Sequence, residues 1–305
     1  MKASVVLNVA AGLRPSPVRA EAGRIRDLFA ALGAVACVSQ VRGPEVMEAA
    51  RAAASSDADV VVMGGGDGTM SAGSNALVGT GRLMGVLPLG TLNHFARDLG
   101  IPADPDEAVR TIVQGMPREV DVGEANGRVF VNNSSIGLYP LMVSLRDAWM
   151  EKRGMHKWTA MGRAAWGTLR RFPVVRVSLR MAEGGLLVRT PMVFIGNNRY
   201  ETRLFALGRR AALDQGELWV YFARRAGRLP FVRLAARALL GRLDEARDFE
   251  GMGLEELRVE DRRRLLHVAF DGEVCHVAPP LHYRIRPRAL RVMVPAESVV
   301  TGPLS

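Results

Sequence analysis

Residues 63–69 read Met-Gly-Gly-Gly-Asp-Gly-Thr, directly behind the apolar run Ala58-Asp59-Val60-Val61-Val62. A buried strand therefore empties into a turn almost free of side chains. The turn carries one carboxylate, Asp67, and one hydroxyl, Thr69. Glycines there let the backbone take positive φ and let N–H groups approach a ligand closely. Successive N–H groups form an anion-binding concavity, and a helix beginning at Thr69 adds its positive end. The natural guest is a phosphate, and Asp67 is well placed to meet a metal bound to it. A tight turn that merely needs glycine is the plainer reading, and four glycines around an acid weigh against it.

Two common phosphate loops are excluded. A Walker loop needs Gly-Lys-[Ser/Thr], and none of Lys2, Lys152 and Lys157, the chain's lysines, follows a glycine. The dinucleotide pattern G-x-G-x-x-G fails because Thr69 and Ser71 stand where its last glycine would fall.

Three further stretches carry groups that could do chemistry. Asn8-Val9-Ala10-Ala11-Gly12 follows the first apolar run. Pro88-Leu89-Gly90-Thr91-Leu92-Asn93-His94 follows the fourth. Phe270-Asp271-Gly272-Glu273 places two carboxylates beside a turn glycine.

The elements that must position these groups are legible in the first 120 residues. Strand signals at 4–8, 34–39, 59–63 and 83–87 alternate with helical spacing at 18–32, 44–54, 69–77 and 104–114. That order predicts a doubly wound α/β domain with a parallel sheet, whose ligands bind beyond the carboxyl ends of the strands. The loops after strands one, three and four would then share one crevice. Past residue 117 the pattern turns to short strands. They fall at 118–124, 128–132, 174–180, 186–195, 217–222, 256–260, 265–270 and 282–286, with hairpin signals at Asn126-Gly127 and Gly184-Gly185. A second, mostly antiparallel β-sandwich is expected. The division reads 1–122 and 123–287, with a late strand at 290–294 and the segment 288–305 available to complete the first domain.

Composition bounds the class. A chain of 305 residues with 48% apolar residues can bury a large core. Its apolar runs are too short for a membrane span. Asn8 interrupts the N-terminal apolar stretch, which reads as a first strand rather than a signal peptide. Cys37 and Cys275 suit a reducing cytoplasm and give no metal or disulfide framework. The net charge of +10 comes mostly from arginine. It admits anionic lipid, polyphosphate or nucleic acid as partners, or only a compositional bias. No strand-borne aromatic ladder argues for RNA, and nucleic acid is not expected.

Taken together, these motifs resemble the diacylglycerol kinase catalytic-domain family, which includes sphingosine kinases and bacterial lipid kinases. The resemblance rests on Gly65-Gly66-Asp67-Gly68-Thr69, the Asn-x-x-x-Gly loop from Asn8 to Gly12 and the Pro-x-Gly-Thr-x-Asn loop from Pro88 to Asn93. It continues through Ser135-Ile136-Gly137, Ile195-Gly196-Asn197-Asn198, Leu213-Asp214-Gln215-Gly216-Glu217-Leu218 and Asp271-Gly272-Glu273. It implies transfer of the γ-phosphoryl of ATP to a lipid hydroxyl with Mg²⁺. Asn8, Gly12, Gly65, Gly66, Gly68 and Thr69 would cradle the nucleotide, with Gly90, Thr91 and Asn93 lining the same cleft. Asp67 would act through magnesium or its waters. Asp271 is the expected base, since a carboxylate can take the proton of a poorly nucleophilic lipid hydroxyl. Glu273 would support it. Asp214 matches the family's acidic turn near a structural magnesium, although Gln215 stands where many members have a second Asp. Asp121 is a weaker candidate that could simply end a strand. His94 replaces a family Asp, which leaves a non-catalytic nucleotide- or lipid-binding regulator open. An NAD kinase shares Gly-Gly-Asp-Gly-Thr, but no Asn here precedes Glu as that family's nicotinamide site requires.

The expected setting is the cytoplasmic face of the inner membrane, with peripheral attachment; a homodimer is compatible with the sequence. Residues 146–171 carry seven Lys and Arg against two acids, with Trp149, Trp158 and Trp166 among them. Tryptophan beside cations is the composition of an interfacial anchor. Residues 229–243 read as a basic amphipathic helix. Ordinary helices packing on the sandwich would show the same patterns.

Overall fold

The computed structural model describes residues 1–10, 18–153, 157–172, 174–181, 184–200, 210, 212–223, 227, 249–261 and 263–296. Gly12 and the amphipathic stretch at 229–243 lie outside them.

Four parallel strands open the chain: β1 (Lys2–Asn8), β2 (Val35–Val41), β3 (Val60–Gly65) and β4 (Leu83–Pro88), in the spatial order β2-β1-β3-β4. β3 is buried at every position, which is why its sequence is an unbroken apolar run rather than an alternating one. The connecting helices are α1 (Val18–Ala31), α2 (Val46–Ala54), α3 (Asp67–Leu77), α4 (His94–Asp98) and α5 (Pro105–Gln114). α1 packs beside α5, and α2 beside α3. The chain moves one way from β1 to β2 and the other way from β2 to β3. Right-handed crossovers then put α1 and α2 on opposite faces. The reversal lies between β1 and β3, so the loop after β1 and the glycine turn flank the natural ligand crevice of such a sheet.

The parallel sheet is continuous with one of the two sheets of the sandwich. β16 (Leu281–Val294) runs through both halves of the molecule. Its last residues pair parallel with β4 at Arg291 and Val292, and its length pairs antiparallel with β5 (Met116–Ala125). The sequence suggested two strands here because the pairing shifts register between Arg286 and Leu290, where Arg288 takes φ +50°. Beyond β16 the same sheet continues through β13 (Glu256–Val259), β8 (Val175–Met181) and β9 (Gly184–Thr190), while β6 (Arg128–Phe130) pairs with β5.

A second, wholly antiparallel sheet has the order β12-β11-β10-β7-β14-β15. Its strands are β7 (Asn133–Gly137), β10 (Met192–Asn197), β11 (Leu218–Ala223), β12 (Phe249–Leu254), β14 (Leu266–Phe270) and β15 (Glu273–Val277). The stretch 186–195, expected as one strand, divides at Pro191 into β9 of the first sheet and β10 of the second. Proline has no N–H to continue a ladder. A second core fills the sandwich: Phe130, Leu257, Tyr283 and Ile285 from the long sheet meet Ile136, Ile195, Val220 and Phe270 from the other. α6 (Leu138–Arg153) covers the second sheet and packs against α7 (Lys157–Arg171).

Candidate active site

The glycine turn works by close packing rather than by unusual backbone angles. None of Gly64, Gly65, Gly66 and Gly68 has positive φ, so that part of the sequence reasoning is corrected. A Cβ on Gly65 would collide with Thr69 Oγ1, and one on Gly90 would collide with the Cα of Gly66. The turn after β3 and the loop after β4 thus touch backbone to backbone, and Leu89 N–H donates to Gly65 C=O at 3.0 Å. Gly68 differs. Among the described residues no atom lies within 4 Å of where its Cβ would stand. It occupies the first turn of α3, behind the N-cap Gly66; Thr69 and Met70 N–H donate to Gly66 C=O, and the N–H groups ahead of them lack intrahelical partners. Among the described residues, and apart from its own helix backbone, this is the open part of the turn.

Asn8 and Asn93 fasten the walls. Asn8 Nδ2 donates to Thr69 Oγ1 at 3.0 Å, and its Oδ1 accepts from Ala10 N–H at 3.1 Å. Asn93, at φ +48°, accepts from Gly90 N–H and donates to Gly90 and Pro88 carbonyls. Asparagine tolerates this left-handed conformation better than most residues. Its polar atoms are therefore spent on loop shape, while Thr91 beside it is exposed.

Asp67 is committed on one side. Its Oδ2 accepts from His94 N–H at 3.2 Å and its Oδ1 from Phe95 N–H at 3.1 Å, so it caps α4 from across the crevice. Asn132 Nδ2 is a third donor, at 3.3 Å to Oδ1. A carboxylate offers about four lone-pair positions. Capacity remains on Oδ2. Among the described residues no cluster of three His, Cys, Asp or Glu could hold a metal alone. Magnesium would fit here only as it usually binds beside nucleotides, through one carboxylate, phosphates and water.

His94 Nδ1 lies 3.0 Å from Arg97 Nη2. A guanidinium only donates, so Nδ1 accepts and a neutral ring carries its proton on Nε2. Neither nitrogen in that state is free to act as a base.

Asp271 begins the two-residue turn between β14 and β15, at φ +48°, followed by Gly272 at φ +88°. Its carboxyl turns inward. Oδ2 accepts from Val131 N–H at 3.0 Å, and Oδ1 from Asn132 and Asn133 N–H at 2.7 and 3.1 Å. Burial raises its pKa above the ordinary Asp value. The N–H groups of Val131 and Asn132, the Ser71 hydroxyl and the N–H of Asn133 oppose that rise without cancelling it. Ser71 lies on α3, so Asp271 touches the helix that the glycine turn opens.

The remaining candidates lie elsewhere. Glu273 forms an exposed ion pair with Arg128 at 2.7 Å, and Arg128 covers the Phe270 ring. Asp214 is partly exposed, with Arg118 at 3.4 Å. Asp121 lies within β5 and does not end it. Buried, it accepts from Gly216 and Arg288 N–H at 2.7 and 2.8 Å, tying the 213–217 loop to β16.

Sequence reasoning missed a buried polar group behind both carboxylates. Arg210 and Asp98, 0% and 2% exposed, pair at 2.7 Å. Arg210 also donates to Asn132 Oδ1 at 2.9 Å and to Val131 and Asn197 carbonyls. The Asn132-Asn133 pair was the available signal, a polar run where a core strand should continue.

Residues 2–125 match the family described as the diacylglycerol kinase catalytic domain. A protein named "Probable lipid kinase YegS-like" from Chromohalobacter salexigens is 29% identical over 272 residues, 85% of this chain and 82% of its own. A Bacillus subtilis protein named diacylglycerol kinase is 40% identical over 91 residues, 29% of this chain. That match spans only 30% of the Bacillus subtilis protein's length. A solved structure of a diacylglycerol kinase from Bacillus anthracis has the same fold, with a TM-score of 0.68 at 18% identity over 97% of this chain and 98% of that one. The matched span contains β1, the glycine turn, the loop after β4 and two of the three residues that donate to Asp67, and over residues 2–125 the chain is similar to the diacylglycerol kinase catalytic domain.

Proposed function

We propose that this protein transfers the γ-phosphoryl group of ATP, with Mg²⁺, to the hydroxyl of a diacylglycerol- or sphingoid-like lipid. One observation carries the reading. The open N-terminus of α3 at Gly68 and the inward-turned carboxyl of Asp271 meet at the same helix, a phosphate cradle beside a candidate base. Magnesium would supply charge neutralisation on the phosphates. The chain's own groups do the rest. The α3 N–H groups bind phosphate oxygens, and Asn8 and Asn93 hold the loops that exclude water. Asp67 would meet the metal or its waters through the lone-pair capacity left on Oδ2, which accepts one N–H, from His94. Asp271 accepts the lipid hydroxyl's proton as the new bond to phosphorus forms. Residues 1–122 with the end of β16 would form the nucleotide half, and 123–287 the lipid half.

A lipid substrate needs a membrane surface, and α7 supports one. Its outer face carries Trp166, 63% exposed, between the exposed Arg163 and Arg170. Arg163 lies 5.6 Å over the ring of Trp149 on α6. Aromatic rings among cations favour the headgroup layer of an anionic bilayer. No helix among the described residues is long and apolar enough to cross a membrane, which fits peripheral attachment.

The test is incubation with γ-labelled ATP, Mg²⁺, NAD and mixed vesicles of several lipid alcohols, beside Asp271→Asn. Labelled lipid from the native protein alone supports the assignment. Labelled lipid from both refutes Asp271 as base. ATP binding with no labelled lipid favours a regulator, and label on NAD favours an NAD kinase.

A further inference from the structure

Asn132 sits where the chain crosses from β6 in the long sheet to β7 in the second, and it is 2% exposed. Its polar atoms are all engaged, toward different parts of the site. Its N–H donates to Asp271 Oδ1 at 2.7 Å and its Nδ2 to Asp67 Oδ1 at 3.3 Å. Its Oδ1 accepts from Arg210 Nη2 at 2.9 Å. Its C=O accepts from Tyr200 Oη at 3.1 Å and Asn197 N–H at 2.9 Å. The amide orientation is fixed chemically. Arginine can only donate, so Oδ1 must face Arg210 and Nδ2 must face Asp67. Arg210 is itself anchored on Asp98 and on two carbonyls.

We propose that Asn132 is a positioning residue that couples Asp67 to Asp271. The two carboxylates lie on different elements, one at the start of α3 and one in the β14–β15 turn. A single residue donates to both, one bond from its backbone and one from its side chain. A shift of Asp67 toward a bound metal therefore pulls on the same residue that holds Asp271. The coupling sets the separation of the phosphate cradle and the base, and Arg210 and Asp98 keep the coupling residue from rotating. This rests on the roles proposed above for Asp67 and Asp271.

Two measurements test it, and one of them needs no activity. In the first, melting temperatures are taken for Asp67→Asn, Asp271→Asn and the double variant, in the native background and again in Asn132→Ala. The decrements should fail to add by about 2 °C or more in the native background and should add within error in Asn132→Ala. Additivity in both backgrounds overturns the proposal. In the second, kcat and KM for ATP are measured for Asn132→Ala and Asn132→Asp. kcat should fall about 10- to 100-fold with KM changed much less, as expected for misplacement rather than lost binding. Asn132→Asp keeps the acceptor for Arg210 and adds a negative charge near Asp271. Its acid limb of kcat should therefore move to higher pH than in Asn132→Ala. Native kcat in soluble Asn132→Ala overturns the coupling. If the native protein phosphorylates no lipid, the proposed function fails and the additivity measurement still decides this inference. Should Asn132→Ala not fold, Asn132→Asp replaces it as the background.

Discussion

Gly68→Ala separates a ligand pocket from a turn that is merely tight. Gly68 lies in the first turn of α3, outside the left-handed region, and no described atom stands within 4 Å of its added Cβ. The folded chain should accept the methyl group. Alanine in place of a helical glycine gains up to about 1 kcal/mol, on the order of one to three degrees in a chain of this size. A phosphate resting on the α3 N–H groups would meet the same methyl group, and each tenfold loss of affinity is about 1.4 kcal/mol. Gly65→Ala provides the contrast. Its Cβ would stand 2.7 Å from Thr69 Cβ and 2.9 Å from Thr69 Cγ2, pushing Thr69 off Asn8. Overpacking plus a lost hydrogen bond should cost about 2–4 kcal/mol. The assay is a thermal melt of each protein with and without Mg·ATP at about a hundred times the native Kd, where bound ligand stabilises by about 2.7 kcal/mol. Gly68→Ala should melt at or above the native temperature and lose most of the nucleotide-induced rise. Gly65→Ala should melt lower even without nucleotide. A full nucleotide-induced rise in Gly68→Ala would refute phosphate binding at this turn.

Further outcomes follow from other parts of the structure. Asp271 must be ionised to accept a proton, and its pKa is raised above the ordinary 3.8 by burial. Transfer should therefore rise with pH through that raised value and be lost as pH falls through it, a limb read from a kcat–pH profile and missing in Asp271→Asn. Raised folded-state affinity for a proton also means that Asp271 lowers stability as pH rises from its unfolded value to its folded one, a trend that urea midpoints across that range should show. Asp98→Ala leaves a buried guanidinium unpaired and should cost about 3–5 kcal/mol by urea unfolding, with part recovered in Asp98→Ala, Arg210→Met. Trp166→Ser with Arg170→Gln should weaken sedimentation with anionic vesicles about fivefold or more while melting within a degree or two of the native protein.

Sequence alone determined the parts whose physics is local. The alternation of apolar runs and helical spacing gave the parallel sheet, because each crossover needs its own helix. The glycine turn was legible as a run of glycines around an acid, although the reason lies in crowding by the Thr69 side chain at Gly65 and by Gly66 at Gly90, not in positive φ, and Gly68 stays clear of both. Asp271 stood out as an acid beside a turn glycine. Tertiary structure decided what depends on distant residues meeting. β16 joins the two halves because a register shift at residues 286–290 lets one strand serve both, and no period in the sequence shows a partner. Glu273, next but one to Asp271, turns to Arg128 because its strand carries it outward. Arg210 and Asp98 were invisible and Asn132 showed only as half of a polar pair, since a buried polar residue is known only by the groups that satisfy it. Those groups come from positions up to 139 residues away.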